Sequence, residues 1–189
     1  MLALFARDLH ERRRLAGDSV VVTVMTNLGF HRAMAAAGIG VVQTAVGDRY
    51  VLEALESKGW SLGGEQSGHI VFRDLATTGD GVLTGLLLLD LLARRGEPLS
   101  KLAAAVMVRL PQVLRNVRVA DHRGLEAAGP VWEEVRRVEE ELSGDGRVLI
   151  RPSGTEPLVR VMVEAGTEAA ASGAADRLEA AILAVLGSP

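Results

Sequence analysis

Two periodicities divide the chain. Over residues 1 to about 108, short continuous apolar runs alternate with stretches whose apolar residues return every three to four positions. Continuous β-branched runs read as strands buried on both faces, and the longer spacing reads as helices with one buried stripe. The pattern predicts a helix over 1–15 closing in the basic patch Arg12, Arg13 and Arg14, then a strand at Ser19–Thr23 (SVVVT). Asn27 can cap a helix that runs to about Ala37, where Gly38 stops it. A second strand follows at 39–45, and Asp48, in the turn Gly47-Asp48-Arg49, is placed to cap a helix over 50–57. Short strands at 60–63 and 69–72 flank a polar loop. Thr77-Thr78-Gly79-Asp80 then opens a long helix up to Arg95, and Pro98 starts a short one. Strand and helix in alternation predict an α/β domain with a mixed, mainly parallel sheet.

From residue 112 the period changes. Residues 112–120 (QVLRNVRVA) alternate apolar and polar, as a strand with one solvated face does. Residues 131–142 form an amphipathic helix with Val131, Val135, Val138 and Leu142 on one side. Strands at 146–150 and Leu158–Glu164 flank a second polar loop, and Glu168–Leu186 is a closing alanine-rich helix. The order β-α-β-β-α predicts a smaller α+β domain with an antiparallel sheet and two helices. The expected division is 1–108, a linker at 109–112, and a second domain over 113–189.

Composition narrows the classes. Apolar residues make up 48% of the 189, so a core is available and disorder is excluded. A net charge of −3 and the lack of a basic recognition helix argue against nucleic-acid binding. The absence of cysteine rules out disulfides and cysteine-held zinc, and fits a reducing compartment. The apolar start at 1–6, ended by Arg7 and Asp8, is too short for a signal peptide. The greasiest run, 81–93, contains Asp90 and is too short to span a bilayer. The expected location is the cytoplasm, without membrane association.

The chemistry concentrates in the two polar loops. Residues 151–160 read Arg-Pro-Ser-Gly-Thr-Glu-Pro-Leu-Val-Arg. Arg151 and Arg160 offer charge-assisted forks, Ser153 and Thr155 offer hydroxyls, and Gly154 lets the backbone approach an anion or take a positive φ. Pro152 and Pro157 stiffen the ends. A compact dianion such as a phosphate monoester needs that mixture. The first loop, Gly63-Gly64-Glu65-Gln66-Ser67-Gly68-His69, combines close-approach glycines with an acceptor carboxylate, a hydroxyl and an imidazole. It suits a pair of sugar hydroxyls, and it also suits a plain glycine-rich hairpin with solvated side chains. Asp80 and Asp145 are lone carboxylates, read as a helix N-terminal residue and a turn residue; a magnesium ion needs clustered oxygen ligands, so no metal site is expected.

With both loops in place, the chain resembles the α-D-phosphohexomutase superfamily, and within it the bacterial phosphoglucosamine mutase branch. The resemblance rests on VGDRYVLEAL (46–55), GWSLGGEQSGHI (59–70), TTGDG (77–81), PQVLRNVRV (111–119) and RPSGTEPLVRVMVE (151–164), which occur in family order. It implies the third and fourth domains of a four-domain enzyme. Glu65 and Ser67 would contact sugar hydroxyls, His69 would be a proton-transfer group, and Arg49 would lie on a loop facing the active site. Arg151, Ser153, Gly154, Thr155 and Arg160 would hold the distal phosphate. The implied reaction interconverts glucosamine 6-phosphate and glucosamine 1-phosphate through a bisphosphate, towards UDP-N-acetylglucosamine and cell-wall precursors. The phosphoserine donor and the Mg²⁺ loop of the complete enzyme have no counterpart in this sequence. The chain is therefore expected to be inactive alone, with the missing N-terminal domains and a hexosamine phosphate as its partners. A fragment of a phosphomannomutase or phosphoglucomutase, and a non-catalytic phosphosugar-binding module, are the alternatives.

Overall fold

A computed structural model describes residues 1–187, which divide into two compact units between Arg109 and Leu110. In chain order the first unit holds α1 (Leu2–Glu11), β1 (Ser19–Thr23), α2 (Leu28–Ala36), β2 (Gly40–Thr44), α3 (Asp48–Lys58), β3 (Leu62–Gly64), β4 (Ile70–Phe72), α4 (Gly81–Arg95) and α5 (Leu99–Val106). The second holds β5 (Gln112–Arg118), α6 (Gly129–Leu142), β6 (Arg147–Pro152), β7 (Leu158–Glu164) and α7 (Glu168–Leu186). No helix among the described residues is long and apolar enough to cross a membrane.

The first sheet has the order β2-β1-β3-β4, with β1 parallel to β2 and β3 and only β4 antiparallel. β1 is buried along its whole length, as its unbroken valines require. Its side chains alternate between two cores. Val20 and Val22 pack with α1, Phe30, Met34, Leu91 and Val106, whereas Val21 packs with Val51 and Leu55 of α3. The result is an α/β/α sandwich. Phe5 of α1 meets Phe72 of β4 edge to face, with ring centroids 4.9 Å apart.

The second unit is a three-stranded antiparallel sheet, order β5-β7-β6, with α6 and α7 on one face. Val117, Val159, Val161 and Val163 point into a core with Val131, Val135, Val138, Leu178 and Ile182 of the helices. The alternate residues of the same strands form the other face, and they carry the polar chemistry.

The structure departs from the sequence pattern at ends and caps. α1 stops at Glu11, because Arg13 takes a left-handed φ of 55° and breaks the ladder inside the basic patch. α3 begins at Asp48 with Gly47 as its cap, so Asp48 sits in the first turn instead of capping it. A short 3₁₀ segment, His122–Ala127, has no apolar period to announce it; the Asp121 side chain starts it by accepting from Arg123 N–H at 2.9 Å.

Candidate functional site

In the first unit the loop between β3 and β4 closes on itself. Glu65 N–H donates to His69 O at 2.9 Å and Gly68 N–H to Glu65 O at 3.1 Å, with Gly68 at φ 101°. The turn gathers three of the predicted residues. Glu65 is largely buried, and its Oε1 accepts from Gly47 N–H at 3.0 Å. Gly47 has φ 136° and ψ 134°, which a side chain would not tolerate, and it caps α3. The carboxylate thus rests at the positive end of that helix. Its Oε2 lies 3.9 Å from His69 Nδ1, which is 3.2 Å from Ser67 Oγ. Ser67 and His69 are exposed, so both can meet a ligand. Arg49 does not join them. Its Nε donates to Glu53 Oε1 at 2.6 Å along α3, and its side chain is 79% exposed. Beside the loop lies a cleft of about 350 Å³, lined by Glu65 and Gln66 together with Asn27, Phe30 and Arg109.

In the second unit the loop 153–157 joins β6 to β7. Arg151 and Arg160 are directly opposed across the two strands. Like charges in that position repel, and among the described residues no carboxylate lies within ion-pair distance of Arg151. Burial, and then the Arg160 charge, push the Arg151 guanidinium below its ordinary value. Among the described residues Arg160 has one acidic neighbour, Glu156, at 3.5 Å, and its buried Nε has no partner. Ser153 N–H donates to Leu158 O at 2.9 Å, which holds the loop to the strand, but the Ser153 hydroxyl has no partner although the residue is only 3% exposed. Buried polar atoms are usually satisfied, so these two donors stand out as available to an acceptor from outside the described residues.

Gly154 and Thr155 are exposed. Gly154 needs no positive φ, and a Cβ built there meets nothing within 4 Å. Neither backbone strain nor packing among the described residues requires glycine there. The loop thus gathers two guanidinium groups, a buried hydroxyl and an unobstructed backbone, donors of the kind that suit an oxyanion.

Among the described residues no three His, Asp or Glu side chains converge to hold a cation. Asp80 caps α4, accepting from the N–H groups of Val82 and Leu83, and Asp145 lies in the turn after α6. Gly47 is the contributor that sequence reasoning passes over. The signal was present, a glycine directly before Asp at a strand-to-helix junction, but it reads first as a turn.

Comparison with known proteins gives one family. Residues 1–110 match the phosphoglucomutase/phosphomannomutase α/β/α domain III, and residues 114–181 match the C-terminal domain of the same family. Phosphoglucosamine mutase of Frankia alni is 58% identical over 189 residues, covering 100% of this chain and 41% of that protein. Phosphoglucosamine mutase of Desulforudis audaxviator is 55% identical over 168 residues, covering 89% of this chain and 37% of that one. The chain thus spans about two fifths of the length of these relatives. Among solved structures, N-acetylphosphoglucosamine mutase of Aspergillus fumigatus superposes with a TM-score of 0.81 at 22% identity, covering 99% of this chain and 42% of that one. A complex of that fungal enzyme with GlcNAc-6P and magnesium superposes with a TM-score of 0.79 at 22% identity, covering 96% of this chain and 45% of the other.

Proposed function

Since the chain belongs to the phosphoglucomutase/phosphomannomutase family, as its third and C-terminal domains, we propose that it supplies the sugar and distal-phosphate contacts of a phosphoglucosamine mutase. The reaction is an isomerisation: a phosphoryl group leaves one hydroxyl oxygen of glucosamine and arrives on another, with a bisphosphate between. Phosphoryl transfer leaves little covalent work to most of the protein, so positioning and charge dominate. In this reading Glu65 and Ser67 hold two ring hydroxyls, and the Gly47 N–H fixes one Glu65 oxygen so that the other faces the sugar. His69 holds or moves a proton beside them. Arg151, Arg160, Ser153, Thr155 and the Gly154 backbone hold the phosphate not being transferred. Arg49 has a place here only if it leaves Glu53.

The observation that carries the proposal is the juxtaposition of Arg151 and Arg160, with only Glu156 to offset them among the described residues, beside a buried Ser153 hydroxyl that has no partner there. Because the bisphosphate must turn end for end, the cradle has to accept a phosphate from either end of the sugar. A site that reads only charge and oxygen geometry allows that. The metal and the phosphoryl donor are assigned to the portion of the relatives that this chain does not span. The absence of cysteine agrees with a cytoplasmic setting.

Calorimetry with glucosamine 6-phosphate tests the binding role. Arg151→Ala should weaken binding by about 1.5–3 kcal/mol, the range for hydrogen bonds to a charged group. Unchanged affinity would remove Arg151 from the site. Titrating mannose and glucose phosphates in parallel decides the sugar. The isolated chain should show no mutase turnover, and measurable turnover would overturn the division of labour.

A further inference from the structure

The geometry points to Arg118 as a third, outer anion-binding residue of the cradle. This rests on the phosphate-loop reading above. Arg118 is opposite Leu158, the first residue of β7, and Asn116 is opposite Arg160. Val119 N–H donates to Pro157 O at 3.2 Å, which ties the end of β5 to the end of the loop. Side chains alternate along a strand, so Arg118 and Asn116 share the face of Arg160 and Arg151, while Val117 between them is buried against the helices. One row of that face therefore reads Asn116, Arg160, Arg151 across the three strands, with Arg118 one row nearer the loop.

Arg118 is exposed and its side chain makes no hydrogen bond or ion pair with the described residues. The contrast is Arg115 on the opposite face, which pairs with Asp176 at 3.1 Å and Glu179 at 3.6 Å on α7. Arg115 has a structural occupation; Arg118 has none. Charge gives the ligand class. Arg118, Arg151 and Arg160 carry three positive charges and Glu156 removes one, leaving two, which matches the dianion of a phosphate monoester. Without Arg118 the balance is one charge short. Being exposed, Arg118 captures the anion by steering more than it holds it in place.

The test titrates inorganic phosphate and glucosamine 6-phosphate into this chain at low and at moderate chloride, with thermal melting of each variant. Arg118→Gln should weaken both ligands about two- to fivefold at low chloride, the scale of an exposed ion pair. The deficit should shrink as salt screens it. Arg118→Lys should restore most of the affinity and its salt dependence. Arg115→Gln should lower the melting temperature and leave affinity alone. Unchanged affinity and salt dependence in Arg118→Gln, beside a clear loss in Arg151→Gln, overturns the role of Arg118 and leaves the cradle standing. No loss in Arg151→Gln overturns the cradle and Arg118 with it.

Discussion

In the proposed phosphate loop the needs of folding and of binding come apart at Ser153 and Gly154, and substitution can separate them. A buried hydroxyl without a partner costs about 1–3 kcal/mol of desolvation, so Ser153→Ala removes a penalty in the empty protein. We expect an unchanged or slightly raised melting temperature together with phosphate binding weakened about tenfold, the loss of one hydrogen bond to a charged group. Gly154→Ala should behave alike. No positive φ and no neighbour within 4 Å oppose a methyl group there, and a less flexible unfolded chain adds about 0.4–1 kcal/mol of stability. Melting curves beside titrations of inorganic phosphate check both variants. A fall in stability in either would mean that the residue serves packing after all. Gly47 is the opposite case: its φ of 136° and its hydrogen bond to Glu65 make alanine there a change in backbone and in carboxylate placement at once.

Among the elements, α1 and α4 are joined by a charged knot. Arg94 grips Asp8 with two bonds of 2.9 and 2.8 Å, Arg12 and Arg95 add bonds at 3.3 and 3.2 Å, and Arg95 also pairs with Glu11. Burial pushes the Asp8 carboxyl up, but hydrogen bonds from Arg94 and Arg12 outweigh it and hold it below the usual range. A carboxyl lowered in the folded state stabilises above its unfolded value, near pH 3.9, and the contribution is lost as pH falls through the lower folded value. Asp8→Asn should therefore cost about 1–2 kcal/mol at neutral pH, discounted because the arginines are a third exposed. Urea unfolding at several pH values should show the gap to the unaltered protein closing below about pH 4. A gap that persists there would point to packing.

The same knot shows where sequence legibility ends. β1, β7 and α7 are readable to the residue because their apolar periods begin and end sharply. The end of α1 is not, since Arg12 to Arg14 read as helix-compatible and only the left-handed turn at Arg13 stops it. Likewise Glu65, Ser67 and His69 are readable as a group because they fall in one short loop. Their tie to Gly47, and the row through Asn116, Arg160 and Arg151, depend on strand and loop contacts that no local period encodes.

For the molecule as a whole, each unit has its own core and carries one of the two loops. We propose that the segment from residue 110 onward folds by itself. Leu110 is buried, and Ala165 N–H donates to Pro111 O at 3.2 Å, so a cut before Leu110 preserves these ties, whereas one after Gln112 severs them. Produced alone, that segment should unfold cooperatively and retain phosphate binding within a few-fold of the longer chain. A molten product, with secondary structure but no cooperative transition, would show that the unit depends on the rest.

The pairing of Arg151 with Arg160 has one more consequence. Two guanidinium groups facing each other are hungry for any tetrahedral oxyanion, and sulfate or free orthophosphate will satisfy them as readily as a sugar ester. Such a cradle gives appetite without discrimination. In the function proposed above, choosing the right guest falls to the carboxylate and hydroxyl of the other loop, so buffers rich in orthophosphate should mask this chain's affinity for glucosamine 6-phosphate while leaving its preference among sugar phosphates untouched.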